Sequence, residues 1–353
     1  MKSISKSEQE INVFHRPIFS PLLVVLFLWP GFILAQIVFA PVQTSTESSL
    51  RGLYAISESI CWVSGSEGTV LRTTDEGKTW ENLSPEGYEG LQFRDIHAFG
   101  KDTAIILSAG LPAVICKTVN GGKSWKEVYR NEAEGVFFDA MDFWDKQRGM
   151  AFSDAPEEHL LIITTIDAGE TWKEIPKKYS PKVFPHQGGF AASGTCINTF
   201  GESSALIGLG GPEATILFTN DFGKTWIKTR APIDFGEPSK GIFSIYMLNE
   251  NYGFCVGGDY QADSLTNQNM ATTKDGGKTW QALEHPEILS LYKSCVNVIN
   301  ENDIIATSRT GIIYSHDNGK TWHKLNGSFY SVSTVNGVSW LSGPSGYVAR
   351  ITW

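Results

Sequence analysis

The stretch Thr73–Trp80 reads TTDEGKTW, and the same octet returns five times: Thr118–Trp125 (TVNGGKSW), Thr165–Trp172 (TIDAGETW), Thr219–Trp226 (TNDFGKTW), Thr273–Trp280 (TKDGGKTW) and Ser315–Trp322 (SHDNGKTW). Each part suits a tight β-hairpin. The third residue, Asp75, Asn120, Asp167, Asp221, Asp275 or Asp317, is expected to accept hydrogen bonds from its own turn's backbone. The fifth, Gly77, Gly122, Gly169, Gly223, Gly277 or Gly319, accepts a positive φ without steric cost. The flanking Ser or Thr hydroxyls tie the turn together. The last residue, Trp80, Trp125, Trp172, Trp226, Trp280 or Trp322, can wedge between packed sheets. These acids are occupied by their own turns, so the octet predicts architecture and no chemistry.

The octet resembles the Asp-box, or BNR repeat, in every copy. Its tryptophans are 45, 47, 54, 54 and 42 residues apart, the period of a four-stranded propeller blade. One unit predicts strands over 50–56, 60–65 and 69–74 and an outer strand from Glu81. A seventh unit lacks its box: Trp340–Ile351 (WLSGPSGYVARI) repeats the pattern of Trp62–Thr73 (WVSGSEGTVLRT), and the chain stops at Trp353. Residues 37–44 (IVFAPVQT) stand where a preceding outer strand would. The expected fold is all-β, a seven-bladed propeller closed by the N-terminal strand pairing in the last blade, which removes the open edges of the ring.

Residues 1–35 are of another kind. Lys2, Lys6 and Arg16 precede the apolar run Pro21–Ala35, and a small residue stands before Gln36. This reads as a secretory signal with cleavage after Ala35, an uncleaved anchor being the alternative; only in that case would the protein touch a membrane. The expectation is an exported, monomeric protein of the periplasm or extracellular space, with a single propeller over 36–353. A formal charge of −9 argues against nucleic acid, which needs a basic footprint. The five cysteines, Cys61, Cys116, Cys196, Cys255 and Cys295, form no CxxC pair and read as buried core residues.

The inner strands carry small or compact residues at aligned positions: Gly52, Asp95, Cys196, Ser244 and Ser331. Beside them Arg51, Arg94 and Lys293 are expected at corresponding places in three blades, an anion- or carboxylate-binding patch at the channel mouth. Long connections over 154–159, 173–194, 234–240 and 258–269 fall on the face opposite the boxes, the favoured place for binding. Asp154, Asp259 and Tyr260 join the candidate binding residues there. No catalytic residue, metal or cofactor is assigned. A sialidase would need an Arg-Ile-Pro motif, absent after residue 35. A two-carboxylate glycosidase could draw on Asp154, Glu213 and Asp259, which makes glycan binding or hydrolysis the second reading.

Phe138–Asp145, Met150–Asp154, Phe190–Thr195, Gly241–Ser244 and Val256–Tyr260 resemble bacterial exported proteins related to the photosystem II assembly and stability factor. That resemblance covers residues 45–353. It implies a non-catalytic assembly factor that binds another envelope protein, or its exposed polypeptide tail, through an arginine-lined patch. Members often carry the label oxidoreductase, a third reading for which the chain shows no cofactor motif.

Overall fold

The computed structural model describes residues 38–353 other than 156, 263–267, 284–288 and 290. The expected leader, Ile37 and part of the 258–269 connection lie outside them. The described residues form seven antiparallel four-stranded sheets. Blade 1 comprises Leu50–Ala55, Cys61–Gly65, Val70–Thr73 and Glu81–Asn82. The inner strands of blades 2 to 7 are Gln92–Ala98, Phe138–Phe143, Ile197–Phe200, Lys240–Met247, Cys295–Val298 and Ser331–Val335. Blade 7 takes its outer strand from the other end of the chain: Val38–Gln43 pairs antiparallel with Tyr347–Thr352, from Val38 opposite Thr352 to Gln43 opposite Tyr347.

The boxes fold as their chemistry demands. Thr73 Oγ1 accepts the Gly77 amide at 2.9 Å, while Asp75 accepts the Thr79 amide at 2.9 Å and its hydroxyl at 2.7 Å. The first hydroxyl of every other copy receives its glycine amide in the same way. The glycines have φ between 77° and 85°. They are also points of close approach. A Cβ on Gly122 would stand 2.8 Å from Leu83 of blade 1, and one on Gly277 2.8 Å from Leu206 of blade 4. The tryptophans serve the same seams: Trp80 meets Trp340 edge-on at 6.0 Å, and Trp125 meets Trp62 at 6.3 Å.

No single core runs through the ring. Seven apolar clusters each join two neighbouring blades, for example Leu53, Val63 and Trp340 between blades 1 and 7, or Ile105, Ile115 and Phe143 between blades 2 and 3. The five cysteines are buried and free, spread over five of these clusters.

Each inner strand has one edge without a strand partner, facing the channel, so its amides need acceptors. Polar side chains of the preceding blade supply them at six of the seven seams. Asp95 accepts Met141 N at 2.6 Å, Asp142 accepts Thr199 N at 2.7 Å, Asn198 accepts Met247 N at 2.8 Å and Ser244 accepts Val296 N at 3.0 Å. Cys295 Sγ accepts Val332 N at 3.5 Å, and Ser333 accepts Ala55 N at 3.1 Å. The seventh seam, blade 1 to blade 2, closes by proximity: a Cβ on Gly52 would lie 3.0 Å from the backbone of Asp95.

Two sequence readings shift. Lys173–Glu174 is the short outer strand of blade 3 rather than the start of a connection. Gly208 lies within the second strand of blade 4, and Gly257 and Gly258 within the second strand of blade 5, where a turn could be read from their glycines. Gly241 packs so tightly on Gly210 that an added Cβ would stand 2.2 Å from its Cα.

Three outcomes follow. Gly122→Ala, which needs both a left-handed alanine and room taken by Leu83, should cost about 2–4 kcal/mol in chemical unfolding. Deleting residues 1–46 opens blade 7 and should lower the melting temperature sharply; an unchanged melt would contradict closure by that strand. The pH dependence has two limbs. Burial pushes Asp95 well up and Asp142 to about 6. Their stabilising contribution is full below about pH 4 and is lost as the pH rises through the folded value. The Thr321 hydroxyl and amide hold Asp317 down to about 2, and the Thr79 amide and hydroxyl lower Asp75. Their contribution is lost as the pH falls below about 4. The melting temperature should therefore peak near pH 4–5, and Asp142→Asn should flatten its decline towards pH 7.

Candidate functional site

On the face opposite the boxes the inner strands are bulged in blades 1, 2, 3 and 5. The extra residue is Arg51 between Leu50 and Gly52, Arg94 between Phe93 and Asp95, Asp139 between Phe138 and Ala140, and Phe243 between Ile242 and Ser244. A bulge re-aims a side chain. All four line one cavity of about 410 Å³ at the channel mouth. Tyr330, which precedes Ser331 as Arg51 precedes Gly52, lines it too, with Phe190, Tyr260, Tyr292 and Arg309.

The cavity floor is a segment of the connection between blades 3 and 4. Residues 188–195 cross the channel. Arg51 Nη1 donates to Ala192 O at 3.2 Å and Arg94 Nη1 to Ala191 O at 3.4 Å. Ser193 Oγ donates to Ser294 O at 2.9 Å, and Thr195 Oγ1 to Ser244 Oγ at 2.7 Å. Phe190 stacks on Phe243 at 3.7 Å, and the Gly210 amide donates to Gly188 O at 2.9 Å. This septum divides the channel into two cavities.

The charges on the loop side are placed under tension. Burial pushes Arg51 below its ordinary value. Burial and then the like charge of Arg51 push Arg94 down to about 10. Arg51 lies 4.0 Å over the Tyr330 ring. Arg94 also binds Gln92 Oε1 through Nε at 3.0 Å. Both guanidiniums thus donate to neutral oxygens. Asp139 is wholly buried, and no N–H or O–H of the described chain reaches its oxygens. Burial and the neighbouring Asp154 push it well up, while Asp154, raised by burial, accepts Gly189 N at 3.0 Å.

The remaining sequence candidates fall elsewhere. Lys293 is not in this wall. Cys295 is the residue aligned with Gly52 and Asp95, so Ser294 holds the arginine position and Lys293 stands one residue early. An offset of one turns a side chain to the other face. Lys293 is 2% exposed, donates to Leu291 O at 2.7 Å, and is lowered by burial to about 7. Asp95 lies beyond the septum as a seam cap. Asp154 stands behind Asp139. Asp259 accepts Gln261 N at 2.9 Å within its own turn, and Glu213 pairs with Lys228 at 3.4 Å. Asp154, Glu213 and Asp259 thus form no common cleft. Tyr260 lines the cavity, 40% exposed, and its carbonyl accepts from Arg309 at 2.6 Å. Sequence reasoning passed over Arg309, which arrives from the turn between the second and third strands of blade 6. It also passed over the aromatic wall, whose signal was Tyr330 standing before Ser331 as the arginines stand before their layer.

The comparisons bear on this geometry. Residues 34–136 match the family model described as photosynthesis system II assembly factor YCF48, and residues 313–324 match the BNR/Asp-box repeat. No curated protein matches the chain by sequence. Among solved structures, "YCF48 bound to D1 peptide" is similar over 89% of this chain and 97% of its own, with 15% identity and a TM-score of 0.67. YCF48 from Cyanidioschyzon merolae is similar over 89% and 98%, with 16% identity and a TM-score of 0.64. An enzyme of the GH74 class from Niastella koreensis gives 14% identity, 88% and 53% coverage and a TM-score of 0.60. At these identities the structures speak to the fold. The chain is a seven-bladed Asp-box propeller that resembles the photosystem II assembly factor YCF48 family, with that family's sequence model matched over residues 34–136.

Proposed function

We propose that the protein is an exported, non-catalytic assembly factor that holds a carboxylate-bearing polypeptide segment of another envelope protein in the loop-side cavity. The observation that carries this reading is the pair Arg51 and Arg94: two adjacent cations, partly desolvated and bonded to neutral oxygens. Such a pair gains from an incoming anion. The surrounding Phe190, Tyr260, Tyr292 and Tyr330 offer flat apolar faces to neighbouring side chains, as polypeptide-binding sites do. Both arginines fall within the stretch matched by the assembly-factor model, and a relative of the same fold has a bound peptide. Export rests on the character of residues 1–35. The cavity wall holds one described carboxyl, Asp139, in contact with Asp154 behind it. A glycosidase would hold two carboxyls about 5 Å or more apart across a substrate.

The test is affinity capture from the native envelope, followed by titration of the retained polypeptide. Arg94→Ala should weaken that binding about tenfold or more while moving the melting temperature little. An unchanged affinity removes the patch from the mechanism, and capture of glycan without polypeptide turns the assignment to carbohydrate.

A further inference from the structure

The arginines are one part of the loop-side cavity wall, and rings held at fixed angles are the other. Phe190 and Phe243 stack at 3.7 Å with their planes 11° apart. Tyr260 stands steeply to both, 6.3 Å from Phe190 at 71° and 6.2 Å from Phe243 at 69°. Phe243 is buried, whereas Phe190 is partly exposed and Tyr260 exposed. The corner between Phe190 and Tyr260 is therefore the aromatic surface that an entering group meets.

This corner lies beside the cations. Phe190 immediately precedes Ala191 and Ala192, whose carbonyls accept from Arg94 at 3.4 Å and from Arg51 at 3.2 Å. Both arginines are partly exposed, and the Arg51 guanidinium sits 4.0 Å over the Tyr330 ring. The septum closes the cavity from below. At about 410 Å³ the space has the size of a small-ligand pocket, which takes in a side chain and the charge beside it rather than a strand passing through.

We propose that the polypeptide segment held here presents an aromatic side chain with a carboxylate on the same or the adjoining residue, the ring entering the Phe190–Tyr260 corner and the carboxylate meeting Arg51 and Arg94. This rests on the carboxylate reading above and names the residue type that accompanies the charge. Two rings set steeply to one another offer an entering ring a stacked contact on one and an edge contact on the other, the two geometries that aromatic pairs favour. Guanidinium planes also stack on rings, so a ligand ring near the arginines is drawn by the cations as well as by the aromatic wall. A saturated side chain of similar size gains the apolar burial alone.

The experiment is calorimetric titration of the full chain with Nα-acetyl-phenylalanine, with Nα-acetyl-cyclohexylalanine as its saturated counterpart, and with Nα-acetyl-phenylalanine amide, which keeps the ring and lacks the charge. The phenylalanine acid should bind about three- to tenfold more tightly than the cyclohexyl acid, and about tenfold or more tightly than the amide. Tyr260→Leu, at an exposed position, keeps apolar bulk and should bring the phenylalanine acid down towards the cyclohexyl acid. Arg94→Ala should weaken both acids. Nα-acetyl-aspartyl-phenylalanine amide carries the charge on the neighbouring residue: binding tighter than the phenylalanine acid assigns the cavity to an interior stretch of the partner, and weaker binding assigns it to a chain end. Equal binding of the two acids, with Arg94→Ala weakening both, overturns the aromatic assignment and leaves the carboxylate reading standing. A preference for phenylalanine that survives both Tyr260→Leu and Phe190→Leu also overturns it, because the ring then sits elsewhere. Acids that bind no better than the amide, or no heat with any probe up to about 10 mM, overturn both readings.

Discussion

The ring depends on how the open edge of each inner strand is satisfied. A propeller turns seven strand edges towards a narrow channel, where unpaired amides are costly. Here the preceding blade answers with a side chain. Asp95, Ser244 and Cys295 cap from one layer, and Asp142, Asn198 and Ser333 from the next. These bonds fix the registry of neighbouring blades, and the apolar seams behind them supply most of the attraction, roughly 1.5–3 kcal/mol for each large buried side chain. The box glycines let the blades approach closely enough for those seams to form.

The same registry decides the chemistry. A bulge swings Arg51, Arg94, Asp139 and Phe243 into the loop-side mouth, and one position of offset removes Lys293 from it. The polar residues nearest the axis therefore either cap amides of the next blade or line the arginine cavity. Asp95 and Asp139 come from the inner strands of neighbouring blades; Asp139 is the bulged residue, and Asp95 is the residue after one.

Much of the architecture was legible because its signals are local. An Asp-box declares its hydrogen bonds within eight residues, and the box tryptophans then count the blades. Even the closure could be read, since Trp340–Ile351 repeats the pattern of Trp62–Thr73 without a box after it, and residues 37–44 stand where an outer strand would. The site was legible in part. Arg51 and Arg94 share a visible place in two blades, whereas Lys293 depends on a register that no short-range pattern sets. Arg309 reaches the cavity from a turn, and Asp139 meets Asp154 only after two strands pair. Such meetings are tertiary, and spacing along the chain does not encode them. Nor did the Phe190–Thr195 stretch, though singled out, declare that it would run through the middle of the ring.

That crossing segment changes the mechanics of the molecule. A ring whose blades touch only their neighbours can be squeezed into an oval at small cost, because each seam need tilt only slightly. Residues 188–195 act as a chord across the circle. They start from the connection after blade 3 and are tied to blades 1 and 2 through Arg51 and Arg94, to blade 5 through Phe243 and Ser244, and to blade 6 through Ser294. Ovalising the ring would have to stretch or slacken that chord, so the diameter is held at the one place where both mouths would feel it change.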